Sequence, residues 1–328
     1  MIWLTWRQHR KEMIYTLLAL AALAAIMVPT GLAMHGQFED TGLKACLDRM
    51  GAASLIKPTS EVMECQELAH SLQEKYSSLA FVAVLFVILP VLVGVFYGAP
   101  LVARELEQGT HRFVWTQGVS RTRWALTKFG LIGGFTLLVA VVYALGVSWW
   151  FTPLVAAIGS RMEYLAFDVQ GVVPIAYTLF AVALGVFAGV YWRKVLPAMG
   201  VALAGFAVVR GTVELLARPR YLPPKELTYA LGEMDMAPNP ASGNWSQAHG
   251  IRDGAGNLVM ADARIGPCPE TDSFCAREIQ KFGSGAHNWE LYQPGDRFWL
   301  FQGIETGIFL ALTALLLALA LRRLRTLA

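Results

Sequence analysis

Apolar residues run almost unbroken over 13–34, 79–103, 125–152, 169–192, 195–217 and 298–321. Each run is about the 20 residues that an α-helix needs to cross a bilayer, so the pattern predicts six membrane helices. The polar segments between them differ in length. Only Arg193 and Lys194 part the fourth run from the fifth, which makes those two a tight hairpin, whereas 36–78 and 218–297 are long enough to fold outside lipid. In the first long segment a helix is predicted from about Ser60, with Glu61, Glu64 and Glu67 in its early turns, where acidic groups suit a helix N-terminus. In the second, Ser246 to Ile251 and Leu258 to Arg264 flank Asp253-Gly254-Ala255-Gly256-Asn257 and read as a hairpin. Asp272 to Phe282 reads as a short helix. The predicted fold is an all-α polytopic membrane protein with a small mixed α/β domain between helices 5 and 6. Its regions are 1–217 (helices 1–5, with a loop at 104–124), 218–297 (the loop domain) and 298–328 (helix 6 and a basic tail).

Charge orients this pattern. Segments 1–12, 104–124, 193–194 and 322–328 hold 12 Lys and Arg against 3 Asp and Glu, whereas 36–78, 153–168 and 218–297 hold 13 against 19. Short loops rich in Lys and Arg stay on the cytoplasmic side, so both termini and the 104–124 loop are predicted cytoplasmic and the two long segments extracellular. The net charge of +3 conceals this asymmetry. The basic side suits anionic lipid headgroups rather than nucleic acid. All four cysteines fall in the segments placed outside, and disulfides persist in oxidising compartments. Four cysteines allow three pairings. Closing the shortest loops favours Cys46 with Cys65 and Cys268 with Cys275.

The motifs that would carry chemistry are missing from the sequence. There is no Gly-Lys dipeptide and hence no phosphate-binding Walker loop, no CxxC and no HExxH, and the histidines at 9, 35, 70, 111, 249 and 287 are scattered. The expectation is a chain that is not an enzyme, binds no metal or cofactor itself, and draws energy from another chain.

Tyr97 to Lys128, YGAPLVARELEQGTHRFVWTQGVSRTRWALTK, joins the second and third apolar runs. Its charges keep it out of lipid. A helix is predicted to leave the bilayer through Glu107, break at Gly109-Thr110, and give way to an amphipathic turn from His111 to Gln117, with Ser120 capping the next helix. This stretch resembles the loop between the second and third membrane helices of ABC-2-type transporter permeases. There a Glu, a Gly-Thr pair four residues later and an SR further on form the helix that meets the ATPase; here they read Glu105, Gly109-Thr110 and Ser120-Arg121. Many members carry a proline just before VSR, where this chain has Gly118. MIWLTWRQHR at the start and YQPGDRFWLFQGIE (Tyr292 to Glu305) look like the actinobacterial branch. The resemblance implies the membrane subunit of an ATP-driven exporter in the bacterial plasma membrane. A cytosolic ABC ATPase, holding ATP and Mg, would grip Arg104, Glu105, Glu107, Gly109, Thr110, His111, Arg112, Trp115, Ser120 and Arg121. Two permease copies would enclose the pathway, and the transported amphipathic or hydrophobic molecule is left open. An ion-driven carrier, or a membrane sensor or assembly protein without an ATPase, is the alternative.

Within the apolar runs, the pairs Gly94 and Gly98 and Gly185 and Gly189 let helices approach closely, read as packing inside one chain ahead of a dimer contact. Four charges stay inside predicted helices: Lys128, Arg210, Glu214 and Glu305. Arg210 and Glu305 each lie seven residues from the same interface, so a direct Arg210–Glu305 bond is predicted, with Glu214 competing and Gln302 nearby.

Overall fold

The structure, a computed structural model, describes residues 2–110, 120–232, 237–266, 268 and 273–326. Among these residues six helices are long and apolar enough to cross a membrane: Thr5–Asp40, Val82–Glu107, Arg121–Ile158, Val173–Trp192, Val195–Arg220 and Gly295–Thr326, here the first to sixth spans. The first, third and sixth extend the predicted runs at both ends and the second and fifth at the C-terminal end, because helices continue past the hydrocarbon into the interface; the fourth begins at Val173 rather than 169.

The fourth span is the hub. It is buried around most of its circumference, while the others keep large exposed faces. A helix that is apolar on all sides belongs in an interior, and this one adds Ala176, Ala181, Ala183, Gly185, Ala188 and Gly189, which let neighbours come close. The second span crosses it backbone to backbone. A methyl group placed on Gly94 would lie 2.4 Å from the Ala181 carbonyl oxygen, and one on Gly185 would lie 2.4 Å from that of Gly94. Gly98 and Gly189 are as tight, at 2.5 Å from Val182 O and 2.7 Å from Ala99 O. Both glycine pairs therefore serve one contact inside the chain, where close packing replaces the hydrophobic drive that lipid removes.

Two spans are irregular. In the second, Pro90 has no N–H to give the Phe86 carbonyl, and the Tyr143 hydroxyl donates to that oxygen instead, at 2.8 Å. A π-turn follows at Gly94–Gly98, beside the glycine crossing, before the helix resumes as Ala99–Glu107. The fifth span ends in a second π-turn, Val213–Ala217, and a 3₁₀ turn, Arg218–Arg220.

The two long segments join at one end of the bundle. In the first, helices Leu43–Met50 and Ser60–Tyr76 are tied by the Cys46–Cys65 disulfide, with Cα atoms 5.8 Å apart. Thr59 caps the second of these helices, accepting from Val62 N. The strand β1 (Leu55–Ile56) pairs with β3 (Ala237–Pro238) of the other segment. Asn239, buried beside it, donates to the carbonyls of Gly51 and Ala53 at 3.0 and 2.9 Å. The second segment forms an antiparallel sheet of β2 (Lys225–Ala230), β4 (Trp245–Arg252), β5 (Leu258–Ala261) and β6 (His287–Gln293), in the order β2-β6-β4-β5. The hairpin expected from sequence is β4–β5, and the helix is Ser273–Gln280. Cys268 is disulfide-bonded, but the side chain of Cys275, its expected partner, lies outside the described residues.

Candidate functional site

Below the sheet the spans enclose four charged side chains centred on Asp168. Its Oδ2 accepts from Arg210 Nη2 at 2.5 Å and its Oδ1 from Arg218 Nη2 at 2.6 Å. Arg218 also forks onto Glu305, with Nε 2.9 Å from Oε2 and Nη2 2.8 Å from Oε1. Arg218, Asp168 and Glu305 are buried almost completely, and Arg210 nearly so. Tyr177 donates its hydroxyl to Glu305, and Tyr221 does so at 3.1 Å. Burial, then the Glu305 charge, pushes the Tyr221 phenol above its ordinary value. The Phe167 ring lies against the Arg218 guanidinium, 4.2 Å from centroid to carbon. Two cations and two anions so close together cancel, which is the usual remedy for charge within a membrane protein.

Asp168 sits on a short helix, Tyr164–Val169, that Gln302 holds in place. The Gln302 amide accepts from Val172 N and Val173 N at 3.0 and 2.9 Å, capping the fourth span, and donates to Phe167 O at 3.0 Å. Arg210 reaches further, donating from Nη1 to Val87 O of the second span at 3.1 Å. The network thus links the second, fourth, fifth and sixth spans and the short helix.

This corrects the expected Arg210–Glu305 bond. Arg210 binds Asp168, Glu305 is taken by Arg218, and Glu214 lies 3.9 Å from Arg210 Nε, a peripheral member. The cause is the π-turn at Val213–Ala217. In an unbroken α-helix residues eight apart diverge by roughly 80°. One extra residue in the turn makes them equivalent to seven apart, roughly 20° from alignment, so Arg218 swings in beside Arg210. Sequence reading put Arg218 and Asp168 outside the membrane helices, and no local signal marks the π-turn; Tyr177 and Tyr221 were missed with them.

At the opposite end the second span runs out to Glu107, and Gly109 breaks it at φ 71°. Ser120 caps the third span, accepting from Arg123 N at 3.3 Å. Glu107 Oε2 accepts from Val195 N at 2.9 Å, placing a carboxylate on the N-terminus of the fifth span. Glu105 departs from expectation. Its carboxylate turns inward to ion-pair with buried Lys128, and Gln8 Nε2 donates to it at 3.3 Å. Lys128 also lies over the Trp124 ring, 5.0 Å from its centroid. Burying Lys128 in the bundle demands an anion, and Glu105 supplies it by direct contact. Arg104 and Thr110 are exposed and Arg121 half-buried, whereas His111, Arg112 and Trp115 lie outside the described residues. Among the described residues no group of three His, Cys, Asp or Glu could hold a metal.

Residues 17–218, well over half the chain, match the family model described as ABC-2 membrane transporter related. The chain belongs to that family. The match runs from within the first span to near the end of the fifth, taking in the Glu105–Lys128 pair, the glycine crossing, Asp168, Arg210 and Arg218, and it ends before the sheet and Glu305. No curated protein and no solved structure matches the chain. Family and helices together make this a multi-pass membrane protein of transport-permease type, a transport subunit by its family rather than an enzyme.

Proposed function

We propose that the chain is the permease subunit of an ATP-driven exporter in the bacterial plasma membrane, moving an amphipathic or hydrophobic molecule outward. A separate cytosolic ATPase docks on 104–121, a second permease copy completes the pathway, and the sheet faces the exterior. One observation carries the reading: within the family match, the end of the second span that leads into the loop is fastened to two neighbouring spans. Glu107 holds the fifth span and Glu105 the third, through Lys128. A partner that pulls on the loop therefore moves the second, third and fifth spans together. Glu105 acts as a positioning residue here, and exposed Arg104 and Thr110 face the partner.

Affinity purification of the full-length chain from its own host tests this. Stoichiometric recovery of an ATP-binding subunit, with hydrolysis lost on Glu107→Ala and Arg104→Glu but the permease still inserted, is the expected result. Purification without an ATPase, together with proton- or sodium-driven uptake by vesicles, would replace it with the ion-driven carrier that buried Asp168 and Glu305 could otherwise suggest. An impermeant thiol reagent reaching Gly109→Cys from outside intact cells would overturn the orientation.

A further inference from the structure

A cleft of about 730 Å³ lies between the first and second spans, walled by Ala19 and Leu23 on one side and Leu89 and Phe96 on the other. Its floor is Ala140 and Tyr143 of the third span and Thr178 of the fourth. The volume is within the range of about 300–1,000 Å³ typical of ligand pockets. Inside the rim, where Tyr15 stands exposed, the hydroxyls lining it are engaged within the protein. Tyr143 donates to Phe86 O, Thr178 to Pro174 O and Tyr97 to Glu12 O, with Thr16 against the Tyr97 hydroxyl. The Glu12 carboxylate is taken by His9 at 2.6 Å. An interior whose polar groups are engaged elsewhere holds water poorly, so its occupant is apolar. The rim at Tyr15, Leu85 and Phe96 is well exposed, so the cleft opens sideways, where the hydrocarbon lies.

The charge at one end selects the occupant further. From Tyr15 the helix continues toward the N-terminus to Lys11, one turn on and roughly 40° round, and Arg7, two turns on and roughly 80° round, both within reach of the same headgroup level on long side chains. Neither cation makes a salt bridge among the described residues, and Arg7 lies over Trp3, 5.3 Å from the ring centroid. Tryptophan and arginine together mark the headgroup level. We propose that this cleft seats an acyl chain of an anionic phospholipid, whose headgroup rests on Arg7 and Lys11. The bound chain lies against Pro90, where the second span is interrupted. The proposal rests on the membrane assignment and not on an ATPase partner.

The test uses the full-length protein in phosphatidylcholine vesicles doped with a trace of photoactivatable lipid. The diazirine is on the acyl chain, and the headgroup is either phosphatidylglycerol or phosphatidylcholine. Labelled peptides are mapped by mass spectrometry. The expected result is labelling of 12–23 and 82–97, stronger for phosphatidylglycerol by about fivefold per engaged cation at low salt. Arg7→Gln with Lys11→Gln should bring the two lipids level, and Ala19→Trp, which fills the cleft, should suppress both. Equal labelling by the two lipids in the unaltered protein would overturn the headgroup assignment, and undiminished labelling of Ala19→Trp would overturn the cleft. Should Ala19→Trp fail to insert, the lipid ratio in the unaltered protein and its loss in the charge variant still decide.

Discussion

Removing Arg218 probes the buried network most sharply, because it is the one cation that touches both carboxylates. Arg218→Met keeps the length and apolar stem but leaves Asp168 and Glu305 to share Arg210, which reaches only Asp168. A unit charge pair about 4 Å apart at an effective dielectric near 20 is worth about 4 kcal/mol. Stripping one partner from a buried pair costs about 3–5 kcal/mol, because a charge is left uncompensated. Glu305→Met should cost less, since Arg218 retains Asp168. The double variant Arg218→Met, Glu305→Met removes a neutral pair and leaves Arg210 on Asp168. Apolar replacement of an entire buried pair is often neutral or better, so the double variant should be more stable than Arg218→Met alone. At roughly 2 °C per kcal/mol for a chain of this size, Arg218→Met should lower the melting midpoint on the order of 10 °C. Tryptophan fluorescence of detergent-purified protein during a thermal ramp measures it. Arg49→Met, at an exposed Glu61 pair, is the control and should cost about 1 kcal/mol or less. If the double variant loses the sum of its single variants, the charges are not coupled and the network argument fails.

Three further outcomes follow from the packing. Tyr143→Phe leaves the Phe86 carbonyl without a donor, at about 1–3 kcal/mol; Pro90→Ala restores an N–H for that carbonyl, so the penalty should shrink in a Pro90→Ala background, and an unchanged penalty in the same thermal ramp would refute the link. Gly185→Val should abolish folded protein on gel filtration, since its side chain meets Gly94 O, whereas Gly200→Ala, with open space around it, should be tolerated. The Asp253 carboxylate accepts from Asn257 Nδ2 at 3.1 Å, Asn257 N at 2.8 Å and Ala255 N at 2.9 Å, and the Asn257 side-chain bond, then its backbone bond, holds it below its ordinary value. The order it confers on the β4–β5 turn is full above the unfolded carboxylate value and is lost as pH falls through the lowered one. Hydrogen exchange at Asn257 should accelerate only in that acid range, and Asp253→Asn should remove the pH dependence.

The six spans were legible because lipid forces a length and an apolar composition that few other structures share. The β4–β5 hairpin was legible through its Asp-Gly and Gly-Asn punctuation, and the Ser60 helix through its acidic first turn. The strands β2 and β6 were not, since Lys225–Ala230 and His287–Gln293 find each other across more than fifty residues and neither alternates cleanly. Glu105 illustrates a different limit. Its spacing to Gly109 marked the loop correctly, but the direction of its side chain depends on Lys128, 23 residues away on another helix. The family resemblance pointed it at a partner, and the cost of an unpaired buried lysine turned its carboxylate inward.

Both π-turns evaded prediction for the same reason, and both matter for how the ends of the molecule communicate. A π-turn is invisible in composition, yet it rotates everything beyond it. At Val213–Ala217 it brings Arg218 onto the face of Arg210 and so assembles the network. At Gly94–Gly98 it sits between the loop-bearing helix Ala99–Glu107 and the segment whose Val87 carbonyl binds Arg210. Along the second span, then, the order is loop, π-turn at the glycine crossing, proline break, and Arg210. A displacement at Glu107 cannot pass straight up such a helix, because the backbone ladder is re-registered at one point and interrupted at another. On the proposed function it would pass as a rotation about the contact of Gly94 and Gly98 with Gly185, where backbone meets backbone and the axis cannot slide. The far arm of that lever ends on Arg210, so in the proposed exporter a pull on the loop would load the charge network beneath the sheet.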